Sequence, residues 1–553
     1  MNGLPVSQGI AIGRAFLYSQ EEPERPTGTI RAGEEEQQLR LLEQSEQKAR
    51  EELEAGIARF DQSQQEKADI FSAHLEILND PCMLEGIQQR IRDEHSTCEK
   101  AVWDTYQEIL DAFADIEDPV FKGRAADMKD VRNRLLRCCA GRPAPDLSLL
   151  DHPVILLAKD LSPSDTACLP REYVLGIAAE VGGATSHTAI LARSCGIPAV
   201  LGVEGLMAAT APEQTVIVDA LNGRVFLEPD PDTLAAYEGS RTAWLRAQKA
   251  DARFLERRAV TLDGTEILTE VNLGSVADAY SKAAACADGA GLLRTEFLYM
   301  GAKELPDEET QYQAYAEILQ AFGDRPVILR TLDIGGDKHL PYLELPKEKN
   351  PFLGLRALRF CFANEELFRT QLRAAYRASV RGNLWIMFPM VGSMDDFRRA
   401  RQICQEVQEE LETRNLPFRR DVKLGIMIEI PSIALMADQV AKETDFASIG
   451  TNDLCQYTCA ADRLNPAVAA YYQARNPGLL RLIRYVAEAY AAEGKPVGVC
   501  GELAADPETA PVLVGLGIRT LSMSGGALGS VRRALAGKSL KDMQSEAQRL
   551  MQL

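Results

Sequence analysis

Twelve cysteines are spread over 553 residues, and no two form a CxxC pair or keep a regular spacing. That pattern supplies neither a zinc site nor a disulfide framework. Most of the twelve read as buried thiols, with adjacent Cys138 and Cys139 as small helix residues. Long hydrophobic runs are missing too. No stretch approaches the ~18 apolar residues of a membrane helix, and the N-terminus has no signal-type apolar core, so the expected address is the cytoplasm. Basic charge is scarce: Lys and Arg number 61 against 81 Asp and Glu, a net charge of -20. This excludes a broad nucleic-acid or anionic-membrane surface, and an anionic substrate would need arginines gathered locally. The first ~140 residues also lack a P-loop or any nucleotide-binding pattern.

What is present is ordinary globular composition, 46% hydrophobic and 26% charged, on a chain long enough for roughly three or four domains. Residues 5–18 read as short strands broken by glycine. From Glu34 the texture turns acidic and helical, with apolar stripes such as Leu39, Leu42, Ala49, Leu53 and Ile57 on one face. From about Pro145 strands and turns return, ending in a hairpin with an Asn222-Gly223 turn signal. The economical organisation is a multidomain α/β protein. One α/β domain (1–30 and 142–228) is interrupted by a helical bundle (31–141), and a helical linker (229–258) leads to a C-terminal domain (259–553). In that last part short apolar runs alternate with helical sequence, and strands are predicted to end near Asn272, Arg294, Arg330, Pro389, Glu429, Asn452, Cys500 and Ser522. Eight such units fit a (β/α)8 barrel, whose strand C-termini build the active site.

Two groups of residues carry chemistry. In residues 181–193, Gly182 and Gly183 allow a tight turn and Thr185 or Ser186 can cap a helix. His187 then sits at a helix N-terminus, where free N–H groups favour an anion and a neutral, nucleophilic imidazole. The second group lies at the barrel strand ends. Arg294, Arg330, Arg356 and Arg463 are forks suited to phosphate and carboxylate oxygens. Glu429 and Asp453, with Asn452 beside them, are a carboxylate pair of the kind that holds Mg²⁺ while leaving room for substrate oxygens. Glu296, Asp333 and Lys338 are placed to support these groups. Cys500 ends strand seven, and a thiol of ordinary pKa, about 8.5, carries a proton to give at neutral pH.

Together the segments Gly-Gly-Ala-Thr-Ser-His187-Thr-Ala-Ile-Leu-Ala-Arg, Arg330-Thr-Leu-Asp-Ile-Gly-Gly-Asp-Lys, Asn-Pro-Phe-Leu-Gly-Leu-Arg356, Ser-Ile-Gly-Thr-Asn452-Asp453-Leu-Cys-Gln-Tyr and Val-Cys500-Gly-Glu-Leu resemble enzyme I of the bacterial phosphotransferase system, nearly end to end. The resemblance implies a phosphohistidine α/β domain with an inserted helical bundle, a linker, and a barrel that binds phosphoenolpyruvate. It implies that His187 is phosphorylated and oriented by Thr166. Phosphoenolpyruvate would be bound by Arg294, Arg330, Arg356, Asn452, Asp453 and Arg463, with Glu429 and Asp453 holding Mg²⁺ and Cys500 giving the proton. It further implies docking of the carrier protein HPr on the bundle near His74 and a homodimer formed through the barrel. With no sensory domain expected ahead of Met1, sugar uptake is expected rather than a nitrogen-linked branch. Ala184 stands where the family often has arginine, Leu355 where it usually has tryptophan, and Arg475-Asn476-Pro477 replaces a commoner His-Pro pairing. Pyruvate, phosphate dikinase and phosphoenolpyruvate synthase share the histidine domain and barrel but need an ATP-binding domain. A non-catalytic phosphorelay scaffold would not need the retained Arg, Glu, Asp, Cys and His set.

Overall fold

The computed structural model describes residues 1–18, 25–58, 60, 65–114, 119–142, 147, 150–183, 186–300, 302, 304–335, 340, 342–343 and 348–552. Contacts divide the chain into two units, Met1–Arg246 and Ala247–Leu553.

In the first unit, β1 (Leu4–Ser7) and β2 (Ile10–Tyr18) precede α1 (Glu35–Ala58), α2 (Gln65–Leu78), α3 (Pro81–Asp93), α4 (Cys98–Ala114) and α5 (Pro119–Cys139). The sheet then resumes with β3 (Val154–Ala158), β4 (Val174–Ala179), β5 (Ala199–Leu201), β6 (Thr215–Asp219) and β7 (Arg224–Leu227). Its order is β1-β5-β4-β3-β2-β6-β7. β2 runs parallel to β3 with Phe16 opposite Leu156, so the helical segment leaves the sheet and the chain re-enters at the neighbouring position. β3 is buried along its whole length, as a continuous apolar run covered on both faces should be. Short helices α6 (Pro163–Ala167), α7 (His187–Cys195) and α8 (Leu206–Ala209) connect the later strands.

The helices bury one stripe each. α1 turns Leu42, Ser45, Ala49, Leu53 and Gly56 inward, the spacing of a single helical face. α3 begins where the Asp80 carboxylate accepts from the Cys82 N–H, with Pro81 in a first turn that needs no donor. Phe71, Ile87, Ile91, Tyr106 and Leu135 meet these residues in one core. In α9 (Pro231–Leu255) no residue is buried.

The second unit contains β8 (Ala259–Val260), β9 (Glu266–Leu273), β10 (Ala290–Arg294), β11 (Pro326–Arg330), β12 (Asn383–Phe388), β13 (Lys423–Ile428), β14 (Phe446–Ile449), β15 (Val497–Val499) and β16 (Thr520–Met523). From β9 to β16 each strand is parallel to the next, and β9 pairs with both β10 and β16, which closes the barrel. The expected (β/α)8 architecture is present. Every expected strand end falls at or beside an observed one, except that Asn452 lies past Ile449 in the following helix, Thr451–Cys459. Leu292, Ile328, Met387, Met427, Phe446 and Cys500 fill the barrel interior. Glu270 is buried with them on β9, 4% exposed. One of its carboxyl oxygens has no hydrogen-bond partner, and Gly291, lacking a Cβ, leaves room for it.

Candidate active site

His187 is the first residue of α7, and Ser186 is its N-cap. The Ser186 hydroxyl accepts from the Ala189 N–H at 3.3 Å and donates to Gly183 O at 2.9 Å. Gly182 has φ +121°, a backbone state that glycine adopts readily. The capped helix start is therefore as expected. The His187 side chain, Ala184, Thr185 and Lys338 lie outside the description. Thr166 sits in the neighbouring α6, whose start is a capping box of Ser162 and Asp165. Its hydroxyl donates to Pro163 O at 2.7 Å, which leaves the oxygen's lone pairs to accept from an imidazole N–H.

α6 is tied to the bundle by buried polar groups. Asp130 on α5 accepts from the Ser164 hydroxyl at 2.7 Å, and Tyr18 donates to Asp165 at 2.6 Å. Burial, with Asp130 adding to it, pushes the Asp165 carboxyl up to about 6. His74 belongs to this joint. It is 0% exposed, its Nε2 lies 3.2 Å from Asp127 Oδ1 and its Nδ1 4.0 Å from Asp130. Its two ring nitrogens thus face two carboxylates on α5.

The barrel mouth is built from strand ends. β10 ends at Arg294 and β11 at Arg330. The Arg330 Nη2 donates to Glu296 at 2.5 Å, and its Nη1 pairs with Asp333 at 2.9 Å. Arg356 forks onto both Asp333 oxygens at 3.0 and 3.1 Å and reaches Asp453 at 3.3 Å. Burial alone would make these guanidiniums easier to deprotonate. The surrounding carboxylates outweigh it and hold both firmly charged, Glu296 and Asp333 at Arg330, Asp333 and Asp453 at Arg356. Arg463 Nη1 forms an ion pair with Asp453 Oδ1 at 3.2 Å, and among the described residues that oxygen accepts no hydrogen bond.

Glu429 follows β13, is 1% exposed, and accepts from the Met390 N–H at 2.6 Å. Burial, then Asp453 and Asp333, push its carboxyl up to about 8. A nearby dication would reverse that balance, and the Asp453 oxygen that accepts no hydrogen bond would offer it a second hard ligand. Among the described residues no cluster of three or more His, Cys, Asp or Glu encloses a metal. Two carboxylates form the donor set, one that suits an ion completing its shell with water and substrate oxygens.

Cys500 is buried at the centre. Its thiol is pushed up to about 11 by burial, partly offset by a Ser448 hydrogen bond and the charges of Arg330 and Arg294. It is therefore protonated at neutral pH. Asn452 Oδ1 accepts from the Glu502 N–H at 3.0 Å, fixing the turn after Cys500. Arg294, Arg330, Glu429 and Cys500 thus stand at or beside strand ends, and Arg356, Asn452, Asp453 and Arg463 on the segments that follow them.

Some contributors had no assigned role in the sequence reading. Tyr457 accepts from Arg356 at 3.4 Å and donates to Phe352 O at 2.6 Å; its signal was its place in the Asn452-Asp453 segment. Asp333, expected only to support, bridges two arginines. Of the departures, Leu355 N–H donates to Glu348 at 3.1 Å. Asn476 caps the helix Pro477–Ala492 and Arg475 pairs with Asp506 and Glu508, so that pairing serves local structure.

A closed barrel with arginine forks and a carboxylate pair at its strand ends defines a class, the phosphoenolpyruvate-utilising enzymes. Residues 248–540 match the family described as PEP-utilising enzyme, PEP-binding domain. Residues 2–124 match its N-terminal part and 150–223 its mobile domain. The chain is 46% identical to the phosphoenolpyruvate-protein phosphotransferase of Geobacillus stearothermophilus over 526 residues, covering 95% of this chain and 90% of that protein. It is 42% identical to the one of Bacillus subtilis (strain 168) over 555 residues, covering 100% and 97%. A solution structure of Enzyme I matches at 36% identity with a TM-score of 0.40, covering 44% of this chain and 99% of its own. The chain belongs to the phosphoenolpyruvate-protein phosphotransferase family, a family of phosphotransferase enzymes that work with a divalent metal. Among the described residues no helix is long and apolar enough to cross a membrane.

Proposed function

We propose that this enzyme takes the phosphoryl group of phosphoenolpyruvate onto His187, passes it to a histidine of the carrier HPr, and releases pyruvate, feeding sugar uptake in the cytoplasm. The observation that carries the reading is the gathering of Arg330, Arg356, Glu429 and Asp453 within one buried charge network at the barrel mouth. Arg294, Arg330, Arg356, Arg463 and Asn452 would bind the carboxylate and phosphate of the substrate, with Asp453 holding the forks in register. Glu429 and Asp453 fit Mg²⁺, which when bound supplies charge neutralisation to the transferring oxygens.

His187 is the nucleophile. Its ring nitrogen bonds to phosphorus as the bond from phosphorus to the enol oxygen breaks, and the helix N-terminus steadies the new anion. Thr166, accepting from the imidazole N–H, keeps the attacking nitrogen unprotonated. The enolate left behind takes the Cys500 proton on its methylene carbon and becomes pyruvate; water later reprotonates the thiolate. The bundle α1–α5 receives HPr, and the barrel provides the dimer contact.

Labelled phosphoenolpyruvate with Mg²⁺ should leave acid-labile label on one peptide, containing His187, which unlabelled HPr then removes. His187→Ala should take no label. Label retained by that variant would refute the assignment, and labelling from ATP would favour a dikinase.

A further inference from the structure

The strand ladder of the barrel stops one residue short of Cys500. β15 pairs with β16 through Gly498–Thr520 and Val499–Leu521, so the Cys500 carbonyl passes beyond the paired region. A side chain from two strands away takes it up. Asn272, near the end of β9, donates from Nδ2 to Cys500 O at 3.2 Å. Its Oδ1 accepts from the Ser522 hydroxyl on β16 at 2.6 Å. Ser522 is 2% exposed. The Cys500 carbonyl can only accept, so the NH₂ must point to Cys500 and the Oδ1 to the Ser522 hydroxyl, which donates to it.

The turn at Cys500 is held elsewhere as well. Its N–H donates to Ile449 O at 3.2 Å, the Glu502 N–H is fixed by Asn452, and a Cβ on Gly501 would collide with Thr451. Among the described residues Asn272 is the group that secures the carbonyl side, and none of its bonds given above goes to the arginines or carboxylates of the mouth. Without that bond the Cys500 peptide, which carries the thiol that reaches Ile449 O at 3.8 Å, loses its hold on the carbonyl side.

We propose that Asn272, oriented by Ser522, is a positioning pair for the Cys500 thiol, needed for the protonation half of the reaction and dispensable for phosphoryl transfer to His187. The inference rests on the reading of Cys500 as proton donor. Asn272→Asp keeps the shape and the bond from Ser522 but loses the donor to Cys500. Ser522→Ala releases the amide, and Ser522→Thr restores its hydroxyl.

In single-turnover experiments with the full chain, phosphoenolpyruvate and Mg²⁺, label on His187 and pyruvate are followed separately. For Asn272→Asp the labelling rate should stay within about twofold of the parent while pyruvate formation slows by about ten- to a hundredfold, the scale of a misplaced reacting group. Ser522→Ala should show a smaller slowing that Ser522→Thr reverses. Protonation of stereospecifically deuterated phosphoenolpyruvate in tritiated water should also lose its facial selectivity in Asn272→Asp, because an unpositioned donor competes with solvent. Equal slowing of both half-reactions, or parental pyruvate formation in Asn272→Asp and Ser522→Ala while Cys500→Ala is slow, would overturn the positioning role and spare the Cys500 reading. Parental pyruvate formation in Cys500→Ala would overturn both.

Discussion

At the barrel mouth Arg330 and Arg356 are fixed by Glu296, Asp333 and Asp453 before any ligand arrives. Among the described residues the start of α7 is a helix end capped by Ser186. The mouth gains its strength from buried, paired charges, so removing one partner strands another. The helix start relies on backbone donors, which substitutions other than proline leave in place. One region should therefore be brittle to substitution and the other tolerant, the reacting histidine apart.

The sharpest way to break this contrast is Arg356→Lys. Lysine keeps the charge but not the fork, and the loss should lower kcat/KM for phosphoenolpyruvate by about 10²–10³-fold, roughly 3–4 kcal/mol. Steady-state pyruvate release measures it, and a loss under tenfold would mean the mouth is no more brittle than the turn. Next comes Glu270, whose carboxyl burial, aided by Asp288, pushes from 4.5 up to about 8. The unfolded chain gives up this proton near 4.5 and the folded barrel only near 8. Its contribution to stability is thus complete below 4.5 and declines as pH rises to about 8, by about 1.4 kcal/mol per pH unit at the steepest. Glu270→Gln, shaped like the protonated acid, should flatten that slope and melt higher than the parent at pH 8. Thermal melts across pH check it, and an unchanged slope would remove Glu270 as its source. Smallest is Ser186→Ala, where losing the cap should cost about 1 kcal/mol of local helix stability. Hydrogen exchange in α7 should rise, with phosphorylation of His187 still detectable.

Much of this architecture could be read from residue order alone. The barrel strands are continuous apolar runs ending in polar residues, so Arg294, Arg330, Glu429 and Cys500 announced their own positions, and Gly182 to His187 did the same for the capped turn. What stayed hidden depends on contacts between distant parts of the chain. Asn272 and Ser522 marked strand ends, yet nothing local says that one side chain grips the other and then Cys500. The burial of His74 follows from where α2 and α5 pack, which periodicity does not fix. Cys98 and Cys139 are another case: their spacing in the sequence links them in no motif, but their sulfurs lie 3.5 Å apart in the bundle core.

The salt bridges at the mouth also bear on which anions can enter. With Asp333 spanning Arg330 and Arg356, the mouth supplies counter-ions of its own. A chloride or acetate ion would have to prise a closed fork apart with a single charge. On the proposed reading, a phospho-carboxylate would give the arginines new oxygens, and the Asp453 carboxylate so released would be available to a divalent ion. Such a lining would favour a guest that brings anionic oxygens together with a cation over a lone monovalent anion.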